Sequence, residues 1–181
     1  RRPGSGNRPP RRLLRSPQLT SVVFECELSE QSPAWLADHV IEGVTVVPAA
    51  AFVAMALAAA DRAAGAAAGV DDFFIHRPLP LAHGESRTVQ TIVTAAGAGH
   101  ALEIQSIGPN DGDWTLHVTG QVASLRPGDE AATERPDAIA ARCDDEVPVQ
   151  RHYDELSERG ADLRQRFRTA TRLLRRDGES I

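Results

Sequence analysis

Hydrophobic and polar residues alternate along Val22 to Leu28. Val22, Phe24, Cys26 and Leu28 fall on one side, Glu25 and Glu27 on the other. A period of two predicts a half-buried strand. The alternation ends at Val44 to Ala60, where seventeen residues pass without a charge. Pro48 suits a first helical turn, where its missing N–H costs nothing, so a helix is expected over Pro48–Ala64. It is apolar on every side through Ala60, which predicts burial over most of its surface. Gly65 and Gly69 are read as its end. Strand patterns return at Phe73–Ile75, Thr88–Thr94, Ala101–Ile107 and Trp114–Leu125. The turn cluster "GPNDGD" at 108–113 predicts that the last two form an antiparallel hairpin. The outline is an α+β fold, an antiparallel sheet wrapped around one long central helix.

The flanks read differently. Residues 1–17, rich in Pro, Gly and Arg, are expected to be a linker, and 18–126 the sheet-and-helix domain. Residues 127–149, rich in Pro, Asp and Ala, read as a second linker. Gln150–Arg159 has the look of a short helix, and 166–181 alternates weakly. Residues 150–181 are therefore expected to open a second domain.

Composition narrows the picture. The chain has 181 residues, a net charge of −5 and 4% aromatic residues. Its basic side chains are all arginine, and they cluster at Arg1–Arg15 and Arg164–Arg176. The first cluster lies among Pro, Gly, Ser and Asn without aromatic neighbours, so no nucleic-acid partner is expected. Cys26 and Cys143 are far apart and form no CxxC pair, which speaks against a zinc site and fits reduced thiols in a cytoplasmic protein. Arg1–Pro17 lacks an apolar core, so no secretory leader is expected there. Val44–Ala60 approaches the length of a membrane span, but it is mostly alanine and Pro48 cuts it. A buried helix is expected, and no membrane contact.

The chemistry centres on "WLADHVIEGVTVVPAAAF", residues 35–52. His39 could be a base at the approach to the helix, or an ordinary turn histidine. A metal on His39 and Glu42 would lack a third ligand. Asp38 is read as solvated. His76, His83 and His117 receive no chemical role, and Trp35 and Trp114 are read as packing residues.

His39, Gly43 and Pro48 spell HxxxGxxxxP. Around them stand "RRLLRSPQLTSVVFECELS", "RPLPLAHGESRTVQTIV", "WTLHVTGQV" and "YDELSERGADLRQRF". In this order the segments resemble the N-terminal half of the dehydratase domain of modular polyketide synthases, a double hot-dog fold, over Arg12 to Phe167. The resemblance implies removal of water from a β-hydroxyacyl chain to give an α,β-enoyl thioester, a lyase reaction. His39 would be the base, and Gly43, Val44 and Pro48 would bind substrate. No cofactor would bind directly; the substrate would ride on the phosphopantetheine of an acyl carrier protein. Implied partners are that carrier protein, a second hot-dog half or another chain of the synthase, and a second copy in a homodimer.

Histidine suits the abstraction of a proton α to a thioester because its neutral form is available near pH 7. Backbone N–H groups at a helix start suit the oxyanion that develops. Gly43 would leave its N–H open to the thioester carbonyl.

Three departures from the family pattern stand out, two at single positions and one in a five-residue segment. Ala49 replaces a glycine. Ala54 stands where stand-alone hot-dog dehydratases carry a glutamate. Leu163, Arg164, Gln165, Arg166 and Phe167 replace "YGPxF". The chain also stops at Ile181, before any second hot-dog and its acid aspartate, so it is expected to be incomplete alone. The alternative is a non-catalytic hot-dog module for dimerisation or carrier-protein docking. A hot-dog thioesterase would want a carboxylate on the helix, and Val44–Ala60 has none.

Overall fold

The computed structural model describes residues 12–15, 21–64, 68–97, 99–124 and 134–181. The chain divides into two compact units, residues 1–37 with 44–125, and residues 38–43 with 126–181. Its elements in order are β1 (Arg12–Arg15), β2 (Ser21–Ser29), a 3₁₀ turn (Ala34–Asp38), β3 (His39–Ile41), β4 (Val44–Val46), α1 (Ala49–Ala64), β5 (Ala68–Ile75), β6 (Pro80–Leu81), β7 (Ser86–Ala96), β8 (Gly99–Ile107) and β9 (Thr115–Ser124). There follow α2 (Pro136–Ala140), β10 (Asp145–Val147), α3 (Val149–Glu158), β11 (Ala161–Leu163), a second 3₁₀ turn (Gln165–Phe167), β12 (Leu173–Arg176) and β13 (Glu179–Ser180).

The first unit is a six-stranded sheet in the order β1-β2-β7-β8-β9-β5, antiparallel at every pairing. The alternation of β2 does what its sequence asks: Phe24, Cys26 and Leu28 are buried. They meet Val89 and Val93 of β7, Leu102 and Ile104 of β8, and Val118 of β9 in one core. Helix α1 fills the hollow of the sheet with Phe52, Met55, Ala56, Ala59 and Ala60. That spacing is one helical face. Three alanines at 0% exposure let the helix axis approach the sheet closely. The β8–β9 register slips by one between Ile104 and Gln105, and His117 is the extra residue of β9, turned into the core. In the same unit β4 pairs with β6, and Val47 N–H donates to Leu79 O at 2.9 Å.

Several expectations need correction here. Helix α1 is not buried all round: Val53 and Leu57 are 39% and 42% exposed. They lie to one side of the packing face, and a side chain's apolarity does not say which face packs. Gly69 belongs to β5 rather than to the end of α1, while Gly65 lies outside the described residues. Within the expected linker 1–17, β1 pairs with β2, Arg12 opposite Glu25 through Arg15 opposite Val22; backbone hydrogen bonding needs no side-chain pattern. Within 127–149 stand α2 and β10. Pro136 there begins a helix instead of breaking one.

In the second unit, β10, β12 and β13 form an antiparallel sheet, with Val147, Tyr153, Leu174 and Cys143 buried. Strand β11 pairs antiparallel with β3, so residues 38–43 belong with the C-terminal part of the chain. Arginines of the C-terminal cluster form ion pairs there. Arg172 meets Glu146 at 2.7 Å, Arg175 meets Asp145 at 2.7 Å, and Arg176 meets Glu179 at 3.0 Å. Arg142 spans Glu134 and Glu179. Its hydrogen bonds, aided by its charge, hold both carboxyls below the usual carboxylate range. Among the described residues no helix is long and apolar enough to cross a membrane.

Candidate active site

His39 opens β3, immediately after the 3₁₀ turn that carries Trp35 and Leu36. In the second unit it stands opposite Leu163 of β11. The ladder continues at both ends: Glu42 N–H donates to Gly160 O at 2.7 Å, and Arg164 N–H donates to Asp38 O at 2.8 Å. The His39 side chain is half-buried. Its ring lies 5.1 Å from that of Phe167, tilted by 50°. Strand β11 leads straight into the turn that holds Phe167, so pairing with β3 is what delivers the phenyl ring to the imidazole.

Asp38 is not the solvated carboxylate that the sequence suggests. Its side chain is 19% exposed. Oδ2 accepts the Arg166 N–H at 3.2 Å, and the Arg166 guanidinium stands 3.8 Å away. The first N–H groups of a helical turn have no internal acceptor, and Asp38 provides one from across the strand pair. Arg164, Gln165 and Arg166 are exposed while Phe167 is half-buried. The polar departures in this segment therefore point to solvent, and its phenylalanine packs on His39.

Glu42 and Gly43 both take positive φ, 49° and 78°, as in a tight two-residue turn. A Cβ on Gly43 would meet no protein atom within 4 Å. Its glycine answers a conformational demand, and the space beside it is open. Gly160, at the end of α3, has φ 85°, and a Cβ there would stand 3.1 Å from Glu42 Cγ. Among the described residues no cluster of His, Cys, Asp and Glu could hold a metal ion.

Val44 and Pro48 fall in the first unit. Val44 is 42% exposed at the start of β4. Pro48 is buried, one residue before α1, and its carbonyl accepts the Ala51 N–H at 2.9 Å. Ala54 is exposed on α1.

Three other histidines have hydrogen-bond partners of their own. His117 is buried: Nε2 lies 2.8 Å from Ser106 Oγ, and Nδ1 donates to Arg77 O at 3.2 Å. Its ring stacks on Phe52, centroids 6.0 Å apart. Burial pushes its pKa below the ordinary value of 6.5. His76 bonds Thr119, and His83 bonds Glu30, each at 2.8 Å.

Reading the sequence missed the partnership of Asp38, Arg166 and Phe167 with His39. The one available signal was the family segment that residues 163–167 replace. Nothing periodic links positions 128 residues apart.

Comparison with known proteins places these features in context. The polyketide synthase dehydratase domain family matches residues 11–107. The chain is 32% identical over 171 residues to a phenolphthiocerol synthesis polyketide synthase type I of Mycobacterium marinum, covering 92% of this chain and 8% of that protein. It is 31% identical over 167 residues to the mycoketide-CoA synthase of Mycobacterium tuberculosis, covering 90% and 4%. Among solved structures, the dehydratase domain from the CurJ module of the curacin polyketide synthase superposes with a TM-score of 0.81 at 26% identity, covering 93% of this chain and 58% of that one. The dehydratase domain from the terminal module of the rifamycin polyketide synthase gives 0.77 at 27% identity, covering 91% and 58%. The chain thus spans less than a tenth of these curated relatives and under two thirds of these solved domains.

Proposed function

The chain belongs to the polyketide synthase dehydratase domain family, its sheet wrapped around α1 being a hot-dog fold, and from that premise we propose that it carries the base side of a β-hydroxyacyl dehydratase. In this reading His39 takes the α-proton of a β-hydroxyacyl thioester. The C–H electron pair becomes the Cα–Cβ double bond, and the β-hydroxyl leaves with a proton as water. Gly43 offers its N–H to the thioester carbonyl, where negative charge grows as the proton departs. Val44 and Pro48 contribute to substrate binding, Pro48 by setting the entry into α1. The acyl chain arrives on the phosphopantetheine of an acyl carrier protein, and the protein works as a cytoplasmic homodimer. The acid for the leaving hydroxyl is supplied by a second hot-dog half or by another chain of the synthase.

The observation that carries the reading is His39 itself: half-buried, on a paired strand, its ring against Phe167, within HxxxGxxxxP in a chain of this family. A base needs this fixed placement, since general base catalysis acts only within hydrogen-bond reach. The test is α-proton exchange. A β-hydroxyacyl-pantetheine thioester in D₂O should gain deuterium at Cα in the presence of this chain and not with His39→Ala, a half-reaction that needs no acid. Equal exchange by the folded variant would remove His39 from the mechanism.

A second reading is favoured by Ala54. An exposed alanine stands where stand-alone hot-dog dehydratases place a glutamate, which suits a non-catalytic module for dimerisation or carrier-protein docking. Such a module would bind carrier protein and exchange no α-proton.

A further inference from the structure

Residue 38 has a carboxylate committed to one backbone N–H, and that N–H belongs to the turn presenting Phe167 to His39. Resting on the assignment of His39 as the base, we propose that Asp38 is a positioning residue for the His39 imidazole, acting through the 163–168 segment. Three observations converge. The Asp38 main-chain oxygen accepts Arg164 N–H at 2.8 Å, and its carboxylate accepts Arg166 N–H at 3.2 Å. One residue thereby holds both the entry and the first turn of Gln165–Phe167. Arg164, at the N-cap of that turn, makes no side-chain cap of its own, so Asp38 fills the capping role from the residue just ahead of β3. The turn in turn fixes the phenyl ring 5.1 Å from the imidazole.

The far side of the turn is anchored as well. Tyr153 is buried; its hydroxyl donates to Phe167 O at 3.4 Å and accepts Ala170 N–H at 3.2 Å. The Arg168 guanidinium lies over the Tyr153 ring, 5.1 Å from its centroid, and Arg168 Nε donates to Leu163 O at 2.7 Å. Phe167 is thus held from two directions, by the Tyr153 hydroxyl and by the Asp38 carboxylate. Of the two, Asp38 is the covalent neighbour of His39. Any shift of the turn that frees Asp38 moves both walls of the histidine's setting at once: the chain that precedes it and the ring that faces it.

The charged groups around Asp38 in this unit are the Arg166 guanidinium at 3.8 Å and, further along the segment, the Arg164–Asp162 pair at 3.5 Å. A side chain that serves through the Arg166 N–H needs an acceptor oxygen there and not specifically a charge. That makes the role separable from electrostatics. Asparagine retains the acceptor, and alanine removes it.

The test combines α-proton exchange with NMR of the His39 ring in the full chain. Asp38→Ala should lower the exchange turnover by about 10–100-fold, the scale expected when a catalytic group loses its placement, with the substrate KM little changed. The His39 ring resonances should shift and broaden. Asp38→Asn should recover most of both. A second pair of variants covers a folding failure of Asp38→Ala. Arg166→Ala keeps the N–H and should behave as the parent. Arg166→Pro removes the N–H at a first-turn position that tolerates proline and should copy the loss. Parent-like turnover and ring signals in folded Asp38→Ala, or equal effects of the two Arg166 variants, would overturn the proposal. If His39→Ala itself exchanges normally, the base assignment fails first, and the two failures remain distinct.

Discussion

His117 makes the stability of the first unit depend on pH in a direction that can be worked out. The side chain is 2% exposed. Its neutral form is fully served, Nδ1–H by the Arg77 carbonyl and Nε2 by the Ser106 hydroxyl, itself 0% exposed. Adding a proton places a cation against Phe52 with no carboxylate partner among the described residues, and Arg87 and Arg77 oppose it further. Burial outweighs the carbonyls of Arg77 and Pro78, so the native pKa lies below 6.5. Below about pH 6.5 the unfolded chain therefore binds a proton that the native one refuses, and the native state loses ground as pH falls; above that value the contribution is complete. One proton sets a ceiling of about 1.4 kcal/mol per pH unit. Urea unfolding followed by tryptophan fluorescence reads this unit, because Trp35 and Trp114, the chain's two tryptophans, both lie in it. Between about pH 7.5 and about pH 5.5 the wild-type chain should lose up to roughly 1.4 kcal/mol more than His117→Gln, which is less stable at neutral pH but has no such proton to gain. Equal losses in both proteins would refute the reasoning.

Further outcomes follow from the same geometry. Phe52→Ala empties the centre of the α1–sheet contact, where Phe52 is 1% exposed; it should cost about 3–5 kcal/mol by urea unfolding, while Leu57→Ala on the open face should cost well under about 1 kcal/mol. Gly160→Ala forces a side chain into φ 85° and against Glu42, and should destabilise the β3–β11 pairing by about 1–2 kcal/mol, seen as faster amide exchange at Glu42 and Arg164. Arg142 holds Glu134 and Glu179 below the usual carboxylate range. Their contribution is present above about pH 4.5 and lost as pH falls through the native values. Acid, or Arg142→Ala at neutral pH, should therefore speed exchange of the Leu174 and Ile181 amides, which bond each other's carbonyls.

The central sheet was legible because its strands each bury one face. Phe24, Cys26 and Leu28 declare the inward side of β2 without help from the rest of the chain. The β8–β9 hairpin was legible from the turn cluster between its strands. Helix α1 was legible as an element but not in its exposure: Val53 and Leu57 are as apolar as Phe52, and only the sheet decides which of them it covers. Strands of three or four residues carry no period. Thus β10, with Val147 alone buried, read as linker, and so did β1, which backbone bonds place beside β2. At the site, HxxxGxxxxP exposed His39 and Gly43 at once, since their spacing is local. The capping of the 163–168 segment by Asp38 is a contact across the whole second unit, and an aspartate beside a histidine looks the same in sequence whether solvated or engaged.

The most direct test of the account is mass spectrometry of a β-hydroxyacyl-pantetheine thioester incubated with this chain, with and without an added second-half hot-dog fragment of the same family, beside His39→Ala. The account predicts loss of one water in the mixture and none in the mixture made with His39→Ala. Water loss that survives His39→Ala, or no loss in the mixture although both parts fold and bind the thioester, would contradict it.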